Sequence, residues 1–550
     1  ATADVPFAFR DAFEANQVTS IGLDGKAVTI FEGHSDIAPF VVGQYGTIRR
    51  DGHSYGFFGG VTLAKTGGGS LYFDHGYPDI YRVDLDSGAV TRALVGSEDA
   101  GNWVLDADGN PLAHETYRNS SGIWALYAGR SIDKPVIEKA SPTDDIGLYG
   151  KGRTAGTVLV GDKTGEQDLL EEVSLADGAT ISLFDEYNVD ELWRDPASRQ
   201  LVGAAIGEAP RALFFDRHLQ ARYLGAVKAF PGCQVRLVSF SQDLARMIVM
   251  TDGGDDSGTW WLVDIASGKA DPIGYAYPDI KTADVGPTRL FHYKAADGLD
   301  IEAVLTLPPA RKAEHLPVVV LPHGGPIDER DDVGFNWWAQ AYAAAGYAVL
   351  QPNYRGSSGY GRDFREAGYG QWGHKMQSDV SDGLAALAAS GTVDPTRACI
   401  VGASYGGYAA LAGVTLQHGL YRCAVSVGGV TDLPAFFRWK VDLHDYHSAV
   451  TRFWRKAIGA DQQGDSVMRD LSPAHFATQA DAPILLIHGT DDTVVPIEQS
   501  EDMESALKHV NKPVEFVKLK DEDHWLSHGE TRTQMLKAAV AFVKRYNPPD

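Results

Sequence analysis

The chain has 550 residues, 44% of them hydrophobic and 22% charged, which is the make-up of an ordinary globular protein too long for one core. Its 49 Lys and Arg stand against 73 Asp and Glu, and the resulting charge of −24 argues against a nucleic-acid partner, which would demand basic patches. No apolar run reaches the 18 residues that a membrane-spanning helix requires, so no membrane span is expected.

The first half, to about residue 285, reads as short strands broken by polar turns. "YRVDLDSGAVTRAL" (81–94), "EEVSLADGATISLFD" (171–185) and "WWLVDIASGKADPIG" (260–274) each run from an apolar strand through an Asp/Ser/Gly turn into a second strand. Units of about 40 residues built this way predict an all-β propeller of six to eight blades, with a pair of β-sandwiches as the alternative. Only the extreme N-terminus offers a helical pattern, and that stretch is expected to pack on the second domain.

From residue 286 the pattern changes. "LPVVVLPHGG" (316–325), "GYAVLQPNYRG" (346–356), "RACIVGASYGG" (397–407) and "APILLIHGTDD" (482–492) are apolar runs ending in glycine or polar residues, and helical stretches such as "SDVSDGLAALAAS" alternate with them. Alternating strands and helices predict a doubly wound, mostly parallel sheet, whose ligands bind at the carboxyl ends of the strands. The expected fold is therefore mixed: an all-β propeller over 1–285 and a doubly wound α/β domain over 286–550.

The pattern G-x-S-x-G, which marks a nucleophile elbow, occurs twice. At Ser404 it follows the strand "RACIV" and precedes a helix-compatible stretch, as an elbow demands, and small residues at 402 and 406 avoid a clash with neighbouring backbone. At Ser54, in "GHSYG" (52–56), neither the preceding strand nor the following helix is evident, and the residue reads as a loop serine. A serine nucleophile needs a base, and the base needs a carboxylate to fix its tautomer. Asp491-Asp492 and His524 end the next strands in the required order, with His488 and His528 as competing histidines. Two N–H donors must meet the oxyanion; the backbone of Tyr405 and of Gly325, in "HGGP" (323–326), are the candidates. No metal or other cofactor is called for.

These elements together resemble the prolyl oligopeptidase family of serine peptidases, in its acylaminoacyl-peptidase and dipeptidyl-peptidase-like branch. The likeness rests on "HGGP", "GYAVLQPNYRGSSGYG" (346–361), "VDPTRACIVGASYGGYAAL" (393–411), "HGTDDTVVP" (488–496) and "DEDHW" (521–525). It implies a propeller capping an α/β-hydrolase, hydrolysis of short peptides with folded proteins excluded, and a triad of Ser404, Asp492 and His524. His323 stands where some relatives use a tyrosine hydroxyl, which favours a backbone donor at Gly325. Arg355 and Trp525 are candidate substrate contacts, a structural salt bridge being the competing role for Arg355.

An esterase or acyl hydrolase on the same triad is the alternative activity, and a non-catalytic binding protein is a third. Cys233, Cys399 and Cys423 are too few for a disulfide framework or a zinc cluster and read as buried free thiols. A start at Ala1 without methionine has the form of an exported chain after leader removal, favouring a periplasmic or secreted setting over the cytoplasm. A homo-oligomer is left open.

Overall fold

The computed structural model describes residues 15–549, apart from 68–70, 166–167, 186–188, 208–210 and 465. The expected N-terminal helical stretch falls largely outside these residues. Two compact units emerge, one of residues 1–185 with 198–201 and the other of 186–197 with 202–550.

The first unit consists mainly of antiparallel meanders. Gly43–Arg50, His53–Gly60, Asp79–Asp84 and Val90–Leu94 form one four-stranded sheet; the strands from Ala100 to Ala140 and from Ile146 to Leu183 form two more. Ser54 lies inside the strand His53–Gly60, paired with Arg49, and not in a loop. The second unit opens with two further meanders, a three-stranded one (Val189–Arg194, Leu201–Ile206, Arg211–Phe214) and a four-stranded one between Gln234 and Tyr275. Between them runs a helix the sequence reading missed, Arg217–Val227, which Asp216 caps by accepting from the N–H groups of His218 and Leu219. Five such meanders are present among the described residues.

The rest of the second unit is built on an eight-stranded mixed sheet. Its strands are β1 (Thr288–Lys294), β2 (Asp300–Thr306), β3 (Leu316–Val320), β4 (Ala348–Asn353), β5 (Val393–Ala403), β6 (Ala424–Val427), β7 (Ile484–Gly489) and β8 (Val514–Leu519). The order is β1-β2-β4-β3-β5-β6-β7-β8, antiparallel through β1, β2 and β4 and parallel from there on. The central strands β3, β4, β6 and β7 are buried on both faces, which is why they read as near-continuous apolar runs. Val318, Val320, Ile400, Ile484 and Leu486 enter one core, and the intervening Val319, Cys399, Val401, Leu485 and Ile487 enter the core on the opposite face. Each such side chain, fully buried, contributes about 1.5–3 kcal/mol.

The cysteines differ from expectation. Cys399 on β5 and Cys423, just before β6, are joined by a disulfide with Cα atoms 4.8 Å apart. Their neighbours Ile400 and Ala424 are register partners, so the sheet pairing brings the two sulfurs together. Cys233 alone is free.

Candidate active site

The carboxyl end of β5 carries Ser404 into the sharp turn that starts the helix Tyr405–Thr415. The serine sits at φ 56°, ψ −121°, a left-handed conformation that a non-glycine residue holds only under constraint. Its N–H donates to the Val427 carbonyl at 2.9 Å, tying the turn to the end of β6. A Cβ on Gly402 would overlap the backbone of Gly406, and one on Gly406 would overlap the carbonyl oxygen of Pro322. The small residues of the motif are therefore required by backbone approach, and that approach brings the Pro322–His323 segment against the elbow. A Cβ built on Gly324 would come within 3.5 Å of the Ser404 Cβ, a proximity the sequence reading did not single out. Gly325 has φ +123°, and Tyr405 is buried at the first turn of the helix.

At the end of β7, Asp492 Oδ1 accepts from the N–H groups of Val494 (2.9 Å) and Val495 (2.8 Å). Its Oδ2 lies 2.7 Å from His524 Nδ1 and 3.3 Å from His488 Nε2. Burial by itself would raise this carboxyl, but the bonds from His488 and His524 prevail and hold it well below the usual carboxylate range. His488 is fully buried and also fixed by Ser500 Oγ (2.7 Å) and the Val495 carbonyl (2.9 Å), so it braces the turn. His528 instead bonds Glu522 at 3.0 Å. Asp491 has Thr490 as its neighbour at 3.1 Å.

Gly428 links the two halves of the site. It follows Val427, which accepts from Ser404, and it has φ +54°; a Cβ there would stand 3.2 Å from Asp492 Oδ2 and 3.6 Å from His524 Nδ1. Glycine permits this backbone to pass between the elbow and the Asp–His pair. Trp525 is 65% exposed and meets the His524 ring edge-on at 5.3 Å.

Of the two roles offered for Arg355, the contacts fit the structural salt bridge. Its side chain is 4% exposed and bonds Asp379 through Nε (2.8 Å) and one terminal nitrogen (2.7 Å), with Asp297 receiving both terminal nitrogens at 2.9 and 3.1 Å. All three guanidinium nitrogens are engaged, and the residue ties the segment after β4 to the helix Lys375–Ala389.

A second acidic feature went unread in the sequence. A cavity of about 280 Å³ is faced by Asp190 and Glu191 from one strand and by Arg330 and Asp332 from the segment that follows His323–Pro326. Arg330 approaches Asp190 at 3.4 Å. Burial raises both the Asp190 and the Glu191 carboxyls, Arg330 opposing it at Asp190. The Nε1 of Trp193, which also lines the cavity, is buried without a hydrogen-bond partner.

Comparison with known proteins adds a family. The sequence profile of the prolyl oligopeptidase family matches residues 333–548. Dipeptidyl aminopeptidase BIII of Pseudoxanthomonas mexicana is 27% identical over 490 residues, 86% of this chain and 70% of that protein. The acylamino-acid-releasing enzyme of Homo sapiens is 29% identical over 252 residues, 45% of this chain and only 34% of its own length. Among solved structures, a puromycin-hydrolyzing peptidase of Mycobacterium tuberculosis superposes with a TM-score of 0.70 at 22% identity, over 91% of this chain and 78% of that one. That last likeness is one of fold. No helix among the described residues is long and apolar enough to cross a membrane.

Proposed function

We propose that the chain, whose residues 333–548 match the prolyl oligopeptidase family of serine peptidases, hydrolyses short peptides through a triad of Ser404, His524 and Asp492. The observation that carries this assignment is the 2.7 Å pairing of His524 Nδ1 with a carboxylate that four hydrogen-bond donors surround. An ionised Asp492 fixes the proton on Nδ1, which leaves Nε2 free to accept the Ser404 hydroxyl proton. Attack on the scissile carbonyl places negative charge on its oxygen, for which the N–H groups of Tyr405 and Gly325 are the proposed donors. Collapse of the intermediate expels the amine with a proton from His524, and water then releases the acyl group by the same path.

The mixed sheet and its order support an α/β-hydrolase domain over 286–550, and the run of meanders supports a propeller over 1–285. Asp190 and Glu191 are the acidic pair suited to a peptide's protonated terminal amine, with Trp525 as a further candidate substrate contact beside His524. An esterase would use the same triad, so the discriminating experiment is a comparison of kcat/KM on matched amide and ester substrates, each with free and acetylated amino termini. Peptidase activity predicts turnover of the amides that Ser404→Ala abolishes. Turnover of esters alone would replace the peptidase reading with the acyl-hydrolase one.

A further inference from the structure

The chemistry above makes no use of one buried cation beside the site. Lys440 lies on the helix Leu433–His444, which begins a few residues after Gly428, and it is only 7% exposed. Among the described residues its ammonium has no hydrogen-bond or ion-pair partner. It stands instead against aromatic rings, 4.6 Å from the centroid of Trp439, 5.3 Å from Phe436 and 5.8 Å from Trp454. An ammonium with so little access to water is costly, and ring faces return only part of that cost. Burial pushes its pKa down to about 8, and the charge of Asp492 acts in the opposite direction. The triad carboxylate thus lies within electrostatic reach, although its own oxygens are already committed to His524, His488 and two backbone donors.

The aromatic wall leads to the nucleophile. Phe436 packs on Trp454 at 4.9 Å, Trp454 on Trp372 at 6.1 Å, and Trp372 on Tyr405, the residue after Ser404, at 4.6 Å. A cation walled by rings, with no carboxylate bonded to it among the described residues, is an incomplete ion pair. Aromatic faces would pack the methylenes of an incoming side chain, and the ammonium would receive its carboxylate in a poorly solvated setting, where such a bond is strong. We propose that Lys440 is a specificity-determining residue that selects an acidic side chain, Asp or Glu, on the residue whose carbonyl Ser404 attacks. This rests on the peptidase reading.

The test is a series of peptide p-nitroanilides identical except for the residue before the scissile bond, which is Glu, Gln, Asp, Asn or Leu. It is run on the wild type, Lys440→Met and Lys440→Arg, with fluorophosphonate labelling as a parallel measure of a competent serine. The wild type is expected to favour Glu over Gln and Asp over Asn in kcat/KM by about 100-fold, the scale of a desolvated charge pair. Lys440→Met should erase that preference while keeping turnover of Leu, and Lys440→Arg should retain most of it. A wild type that labels and cuts Leu but treats Glu and Gln alike would overturn the inference and leave the peptidase reading intact. Equal loss on every substrate in Lys440→Met would likewise reduce Lys440 to a brace. A wild type that neither labels nor cuts any peptide would instead remove the peptidase reading, and this inference with it.

Discussion

Asp492→Asn is the substitution whose outcome the geometry specifies most closely. The side-chain amide must keep its oxygen on the Oδ1 side, because two backbone N–H groups, of Val494 and Val495, point there at 2.9 and 2.8 Å. Its NH2 is then forced to the Oδ2 side, 2.7 Å from His524 Nδ1. A donor at that position selects the imidazole tautomer with Nδ1 bare and the proton on Nε2, and that tautomer cannot take a proton from Ser404. The corresponding change in a worked serine-protease case costs about 10⁴-fold in kcat, or about 5.4 kcal/mol at about 1.36 kcal/mol per decade. The assay is steady-state hydrolysis of the best peptide substrate, alongside a melting curve to show that the variant is folded. His488 also faces Oδ2, at 3.3 Å, so some loss of stability is expected together with the loss of rate. Asp491→Asn, which leaves His524 and its partner untouched, should stay within about threefold of wild type. If Asp491→Asn were the crippled variant and Asp492→Asn the mild one, the tautomer argument would be refuted.

Further expectations follow from the same contacts. Gly428→Ala adds a methyl 3.2 Å from Asp492 Oδ2 at a φ of +54°; kcat should fall about 10- to 100-fold with a backbone penalty of roughly 1–2 kcal/mol, read by kinetics and denaturant melts. Arg355→Met strands the fully buried Asp379 and should cost about 3–5 kcal/mol of stability while KM stays unchanged in whatever fraction folds, measured by urea titration. The Asp492 carboxyl is held below its unfolded value, so its contribution to stability is complete above about pH 4 and is lost as pH falls toward the lower folded value; Asp492→Asn should flatten this part of an acid-unfolding profile.

Much of the site was legible because its signals are local. The turn at Ser404 requires glycine at 402 and 406 for backbone approach, and both the pattern and its strand–helix setting are written within a dozen residues. The central strands of the mixed sheet, buried on both faces, read as apolar runs, and the loops after them carry His323–Pro326 and Asp492, whereas the strands Thr288–Lys294 and Asp300–Thr306 went unread. What escaped depends on contacts between distant segments. Cys399 and Cys423 meet only because β5 and β6 lie side by side in register, and nothing in either apolar run signals its partner. The choice for Arg355 between substrate contact and salt bridge stayed open because the sequence does not show Asp297 and Asp379 converging on it. The helix Arg217–Val227 was hidden by its weak amphipathicity amid strands, although Asp216 in the "FDRH" stretch is a readable cap. Lys440 drew no notice since a lysine in a helix ordinarily reads as a solvated one, and only its aromatic surroundings mark it as buried.

The central claim is that Ser404, and not the equally well-patterned Ser54, is the residue that attacks substrate. A biotinylated fluorophosphonate offered to the native protein, followed by proteolysis and mass spectrometry of the labelled peptide, addresses it directly. The account predicts a single adduct on Ser404, stoichiometric with the loss of peptidase activity and absent from Ser404→Ala. An adduct on Ser54, or full loss of activity with Ser404 unmodified, would contradict it.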